Sequence, residues 1–526
     1  MSDCVLAIDL GTSGPKVGLV EAEGRVIGSA SAPTALSILP DGGAEQDPHD
    51  WWRAITTASQ QLAARFPAEM ARVAAVATTA QWSGTVAVDD RGVPLRPALI
   101  WMDARGAAYI DALTKGLINI EGYGVTKLLR WIRITGGAPG RSGKDPIAHI
   151  LWMKHREPEL YARTHRFLEP KDWINHRLCG RFASTFETIA LHWVTDNRDL
   201  SKVAYHDGLM KAAGLDREKL PDLIGAHAVL GEVTREAAEV LGIPAGALVV
   251  GGTPDMHSAA LGSGALEDYA AHLYVGTSSW IGCHVPFKKT DLLHNIASLP
   301  SALPHRYFVA ATQESAGVCV SRFLDEWVYP EDELGVGARP ADAFARLEAA
   351  VNATAPGADK LLFAPWLYGE RAPVEDRSVR GGFINMSLGT TRRHMARAVH
   401  EGVAFNTRWL MGHVESFIGR RIDELAFIGG GARSTAWCQI FADVLDRPIA
   451  QTAAPLEANV RGAAMLARAA LGHLDLAART SQLEVARTFE PRAEHRSLYD
   501  DLYGAFGTMY KRTRPLYQQL NAVPKP

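Results

Sequence analysis

The chain has 526 residues, 47% hydrophobic and 21% charged, more than one core usually holds, which predicts two domains. Its 55 Lys and Arg against 58 Asp and Glu leave a formal charge of −3, so no basic excess points to nucleic acid or to an anionic membrane surface. Cys4, Cys179, Cys283, Cys319 and Cys438 are scattered and form no CxxC pair, and no basic-then-apolar leader or bilayer-long apolar run stands out, so the expectation is a cytoplasmic protein with reduced thiols.

The N-terminal stretch "VLAIDLGTSGPKVGLVEAEGRVIG" reads as three strands, with Gly11-Thr12-Ser13-Gly14 turning between the first two. Such a turn is either an ordinary Gly-rich connection or a phosphate cradle of backbone N–H and hydroxyl donors, with Asp9 facing a divalent metal or its waters. Residues 51–66 predict a helix started by Asp47-Pro48 and Asp50. "VAAVATTAQ" is a buried strand leading into Gln81-Trp82-Ser83-Gly84, "TVAVDDRGVPL" a hairpin, and "PALIWMDARG" a further strand. Helices are expected over 150–163 and 206–215. "ALVVGGTPDMHSAALGSGAL" reads as strand, loop, helix, with Asp255 on the loop.

"AAHLYVGTSSWIGCHV" repeats the opening pattern of strand, Gly-Thr-Ser-Ser and strand, and "ELAFIGGGARSTAWCQIFADVL" is strand, Gly-rich loop, helix. A boundary between Gly264 and Ala271 would divide the chain into an N-terminal lobe over 1–264 and a C-terminal lobe over 265–490, followed by a polar helical tail over 491–526. Two motifs mislead. "APGRSGKD" has Ala138 where a Walker loop needs Gly and Asp145 where it needs Ser or Thr. "HEGVA" lacks the second His of a zinc protease helix.

Taken in order, "DLGTSGPK", "QWSG", "LIWMDAR", "FLEPKDW", "GGTPDMHSAALG", "YVGTSSW", "APWLYGERAP", "RGGFINMSLGTTRRHMARAVHEGVAF" and "GGGARSTAWCQIFADVL" resemble the FGGY carbohydrate kinases over roughly residues 5–480, and among them the xylulokinase-like members. The resemblance implies an α/β fold of two actin-like (ribonuclease H-like) lobes with a catalytic cleft between them. It implies ATP and Mg2+, and transfer of the γ-phosphoryl group to a hydroxyl of D-xylulose or a close ketose or polyol. Asp9 would face the metal. Thr12, Ser13, Lys16, Gly276 and Thr277 would hold phosphates, and Gly430, Gly431, Ala432 and Ser434 the adenine end. Asp255 would be the base and touch the acceptor, with His257 as its rival and a helix cap as its plain alternative.

Gln81, Trp82 and Asp103 would contact the sugar, the indole covering its apolar face. Trp82-Ser83 replaces the Met-His of xylulokinases, His149 replaces a Lys, and the segment 113–148 is long for the family. The alternatives are a catalytically weak sugar-binding regulator, a kinase for ribulose, gluconate, glycerol or erythritol, or an Hsp70-like ATPase coupled to a protein partner. A small-molecule acceptor is the expected partner, nucleic acid and membrane are not, and a homodimer is left open.

Overall fold

A computed structural model describes residues 3–334, 337–478 and 483–521. Two mixed sheets organise the chain. The first holds β1 (Cys4–Gly11), β2 (Gly14–Glu21), β3 (Val26–Ser31), β4 (Val73–Ala80), β5 (Val229–Glu232) and β6 (Leu248–Pro254), in the order β5-β6-β4-β1-β2-β3. β1 pairs antiparallel with β2 and parallel with β4, and β4 pairs parallel with β6.

The second sheet holds β7 (Ala271–Val275), β8 (Ser279–Val285), β9 (Thr290–Asp291), β10 (Ile296–Pro300), β11 (Tyr307–Gln313), β12 (Leu425–Ile428), β13 (Ile449–Thr452) and β14 (Val485–Phe489), in the order β9-β10-β11-β8-β7-β12-β13-β14. Its centre repeats the first: an antiparallel hairpin, then two parallel strands. These are the two lobes of the expected fold, each opened by one of the two Gly-Thr-Ser turns.

Local chemistry explains the starts and stops. Helix α1 (Pro48–Arg65) begins where the Asp47 side chain accepts from the His49 N–H, with Pro48 in the first helical position. Its Trp51, Ile55, Ala58 and Leu62 lie on one face and pack against the first sheet. The segment expected as one strand around "PALIWMDARG" pairs only over Ala98–Leu99, because the chain turns at once: the Asp103 N–H bonds back to the Ile100 carbonyl. Asp255 is not on a loop. β6 runs straight into helix α3 (Asp255–Ser263), with Pro254 as the cap.

Helix α7 (Arg496–Leu520) is not a free polar tail. Tyr499, Leu502, Phe506, Met509 and Tyr510 recur on one face and are buried with Trp366 and Phe405 in the core of the second lobe. That core also takes in α4 (Arg392–Ile418) and α5 (Thr435–Leu445).

The two lobes exchange helices. α6 (Ala458–Ala470) lies late in the chain, yet Val460, Ala463, Ala464 and Ala467 pack with Val5, Ala7, Ala75 and Val250 of the first sheet. α3 faces the second lobe, where Ala259 packs with Trp280 and Ile428. α3 and α6 cross in close contact because both carry Gly at the crossing. A Cβ on Gly262 would lie 1.7 Å from the Ala458 carbonyl oxygen, and one on Gly462 1.9 Å from that of Ser258. All five cysteines are free. Among the described residues no helix is long and apolar enough to cross a membrane.

Candidate active site

The first hairpin closes on Gly11 opposite Gly14. Gly14 has φ +137°, and a Cβ there would lie 2.1 Å from the Ala32 carbonyl oxygen, so the turn requires glycine. Thr12 is held from three sides: its hydroxyl donates to Gln81 Oε1 at 3.0 Å, the Trp101 indole N–H donates to that hydroxyl at 3.0 Å, and Gln46 Nε2 donates to its carbonyl at 2.8 Å. Ser13 stands exposed at the tip, and Thr277 stands exposed at the tip of the second hairpin. Neither hydroxyl bonds another side chain among the described residues.

Two carboxylates approach each other beside α3 and α6. Asp255 is the first residue of α3, and its Oδ1 accepts from the Met256 N–H at 2.8 Å. Asp9, near the end of β1, accepts from Asn459 Nδ2 at 3.3 Å, and Asn459 lies at the start of α6. Burial, and then the negative charge of Asp9, push the Asp255 carboxyl up to about 7; burial raises Asp9 itself to about 6. The Tyr274 phenol, just before the second hairpin turn, is raised by burial and by both Asp9 and Asp255. It also lies where a Cβ on Gly276 would touch it, at 2.5 Å from its oxygen. Asp9, Asp255 and the second turn therefore share one location.

The stretch Pro455–Asn459 ties the remaining parts together. Lys16 Nζ donates to the Leu456 carbonyl at 2.6 Å and lies 4.0 Å from Glu457, and the Gly429 N–H donates to the Pro455 carbonyl at 3.0 Å. The "GGGARS" loop lies against the end of β7: a Cβ on Gly429 would come within 2.7 Å of the Val275 carbonyl oxygen. Gly430 is exposed, Gly431 and Ala432 are buried, and the Ser434 hydroxyl caps α5 by accepting from the Trp437 N–H.

The three residues expected on the sugar are placed differently. Asp103 is fully buried, and its oxygens accept from the Ala44 N–H and from Arg105, so no lone pair faces an acceptor. Gln81 is 3% exposed, and its amide is committed to Thr12 and Gln46. Its visible role is to hold Thr12 of the first Gly-Thr-Ser turn. Trp82 donates its N–H to the Thr188 carbonyl and sets its ring at 5.2 Å, edge to face, from His257. It belongs to the core beside Met256.

His257 is buried and pushed down to about 3, which makes its neutral ring a weak proton acceptor, and its Nε2 lies 3.1 Å from the Pro300 carbonyl oxygen. His149, in the family's Lys position, is likewise buried and held down to about 4. What the sequence did not single out is Trp101, the half-buried indole on Thr12, and Lys144. The Lys144 ammonium sits 6.0 Å from the Trp101 ring and 5.9 Å from the Tyr368 ring, spanning the two lobes without a hydrogen bond among the described residues. Trp101 lies in the block "LIWMDAR", two residues from Asp103, in the turn that follows the short Ala98–Leu99 strand.

Two sheets of one topology, each opened by a Gly-Thr-Ser turn and joined by crossed helices, with Asp255 at the start of one and Asp9 of β1 bonded to Asn459 of the other, define the actin-like two-lobed class. Within it, the N-terminal domain of the FGGY family of carbohydrate kinases matches residues 4–262 and the C-terminal domain matches residues 271–471. The chain belongs to the FGGY family and is a carbohydrate kinase. It is similar to the xylulose kinases of Staphylococcus epidermidis, 27% identical over 99% of each chain, and of Escherichia coli K12, 28% identical over 97% of this chain and 99% of that one. Among solved structures it is similar to a xylulose kinase from Brucella ovis, with a TM-score of 0.84 at 26% identity, over 98% of this chain and 100% of that one.

Proposed function

We propose that the protein is an ATP-dependent kinase of D-xylulose or a close ketose or polyol, acting in the cytoplasm. The observation that carries this reading is Asp255 at the strand–helix junction, raised toward neutrality beside Asp9 and next to both Gly-Thr-Ser turns. The acceptor hydroxyl attacks the γ-phosphorus. An oxygen–phosphorus bond forms, the bond from that phosphorus to the β–γ bridging oxygen breaks, ADP leaves, and Asp255 takes the hydroxyl proton late.

Asp9 suits Mg2+: it is a hard oxygen ligand whose side chain accepts from Asn459, and its charge burdens a neighbouring carboxylate. Among the described residues no group of three His, Cys, Asp or Glu is set to hold an ion, which fits a cation held by one carboxylate and the substrate's own phosphates. Such an ion neutralises charge on the transferred group. Lys16 and the free Ser13 and Thr277 hydroxyls supply donors for the phosphates, and the Gly429–Ser434 loop receives the adenosine end. ADP release measured with a panel of ketoses, polyols and sugar acids tests the assignment. Release that no acceptor stimulates would instead support the regulator or the partner-coupled ATPase.

The acid limb of activity has a defined sign. Asp255 must be ionised to accept a proton, and burial and Asp9 raise it to about 7, so kcat/KM for the acceptor should fall as pH drops through about 7 at low nucleotide. A cation beside Asp9 opposes the charge that raises Asp255, so at saturating magnesium nucleotide the limb should move to lower pH. A limb near pH 4 in both conditions would show that neither burial nor Asp9 raises Asp255, and a limb near pH 7 that does not move with magnesium would show that the two carboxylates do not interact.

Lys144 favours a second reading, a sugar-acid acceptor such as gluconate. A cation held between two rings at the junction of the lobes, whose leading opposite charge, Glu314, is already paired with Arg371, suits a carboxylate. Lys144→Met should then raise KM for a sugar acid at least tenfold and leave neutral ketoses within about twofold. Equal effects on both would make Lys144 an interlobe contact only. Light scattering would test the homodimer.

A further inference from the structure

The block "FLEPKDW" supplies nothing to the site just described, yet its charges are buried directly behind it. Glu169 is 2% exposed, Lys171 2%, Asp172 0% and Asn175 1%. Burying a lysine is costly unless its ammonium is paired and fully bonded. Lys171 Nζ bonds the Asp172 carboxylate and donates to the Gly251 carbonyl at 2.9 Å. Asn175 Nδ2 donates to the same carbonyl at 2.8 Å. One helix, Pro170–Cys179, thus fills both lone pairs of a single backbone oxygen.

That oxygen marks an irregularity in β6. Pairing of β6 with β4 slips between Val250 and Thr253, so Gly251 and Gly252 form a bulge. Gly252 has φ +73°, and a Cβ there would lie 1.9 Å from the Thr78 carbonyl oxygen. After the bulge the strand resumes for Thr253 and Pro254, and Asp255 follows. A bulge re-aims the residues beyond it, and here that residue is the carboxylate. The same helix start grips the other side of the site, where Glu169 Oε2 accepts from the Gly84 N–H at 2.8 Å, at the end of the loop that carries Gln81.

We propose that Lys171 and Asn175 are positioning residues for Asp255: by clamping the Gly251 carbonyl they hold the β6 bulge in the shape that aims the carboxylate at the acceptor hydroxyl. They touch neither acceptor nor phosphate. The clamp matters because transfer demands near-attack geometry, and a displacement of about 1 Å costs on the order of 100-fold. This rests on Asp255 as the base, which the Asp255→Asn enzyme tests separately.

The test is steady-state kinetics of Asn175→Leu, which removes one donor and strands no charge, and of Lys171→Arg, which keeps the charge and changes its reach. The expected result is folded protein by circular dichroism, kcat lowered at least tenfold, and nucleotide KM within about twofold of the parent. A merely structural role would lower the melting temperature and the folded fraction but leave kcat per folded enzyme intact, and that result overturns the proposal. Where Asn175→Leu fails to fold, Asn175→Ser, a smaller change with a shortened donor, is read by the same criteria. Loss of turnover in the clamp variants together with full turnover in Asp255→Asn would show that the bulge positions something other than the base.

Discussion

Asp255→Asn enzyme is expected to lose about 10²–10⁴-fold in kcat, roughly 3–5 kcal/mol of barrier, while the acceptor still binds. Asparagine keeps the side-chain oxygen that accepts from the Met256 N–H, so α3 and the junction should survive the change. What disappears is the group that takes the proton. Because the change removes a negative charge from beside Asp9, nucleotide affinity should hold or improve. Single-turnover phosphoryl transfer, with acceptor binding measured by calorimetry, separates the two effects. Turnover near that of the parent would remove the base from this reading and leave a purely positional mechanism.

The second large effect concerns the helix crossing. Glycine to alanine inside a helix ordinarily gains up to about 1 kcal/mol, and Gly462 lies inside α6. At this position the sign should reverse. The added methyl would lie 1.9 Å from a backbone oxygen of α3, which cannot rotate away as a side chain would. Overpacking of this kind costs about 1–3 kcal/mol, and parting the helices would also draw Asn459 from Asp9. Gly462→Ala and Gly262→Ala should each lower the melting temperature by several degrees, and acceptor-stimulated turnover with it. An unchanged or raised melting temperature would mean that the crossing widens freely and does not set the geometry.

Much of this arrangement was legible in the sequence because its signals are local. Alternating apolar strands around Gly-Thr-Ser turns marked both hairpins, and "ALVVGG" before Asp255 marked the strand that ends at the carboxylate. Sequence alone did not say which polar residues would be consumed internally. Gln81 and Asp103 look like sugar ligands in a list of motifs, yet each is buried and bonded to partners at residues 12, 44, 46 and 105, and only the folded chain shows that. The stripe 499, 502, 506, 509, 510 was present in the last helix and contradicted its polar composition. Asn459 on Asp9 and Gly462 on Ser258 join residues some 450 and 204 positions apart, and no local pattern encodes such a meeting.

The exchange of helices between lobes also orders the protein's assembly in time. When the ribosome has finished β6, the face of the first sheet made by Val5, Ala7, Val20, Ala75, Ala77 and Val250 lacks the part of its cover that α6 supplies. That helix emerges about two hundred residues later, roughly 10–40 s at ordinary elongation rates. Throughout that interval the nascent first lobe carries an apolar surface that its own sequence cannot hide. The first lobe is therefore expected not to fold to completion until α6 is available. A stalled or truncated product ending near Gly264 should accumulate as an insoluble or chaperone-bound species, and residues 458–470 supplied in trans should be what releases it.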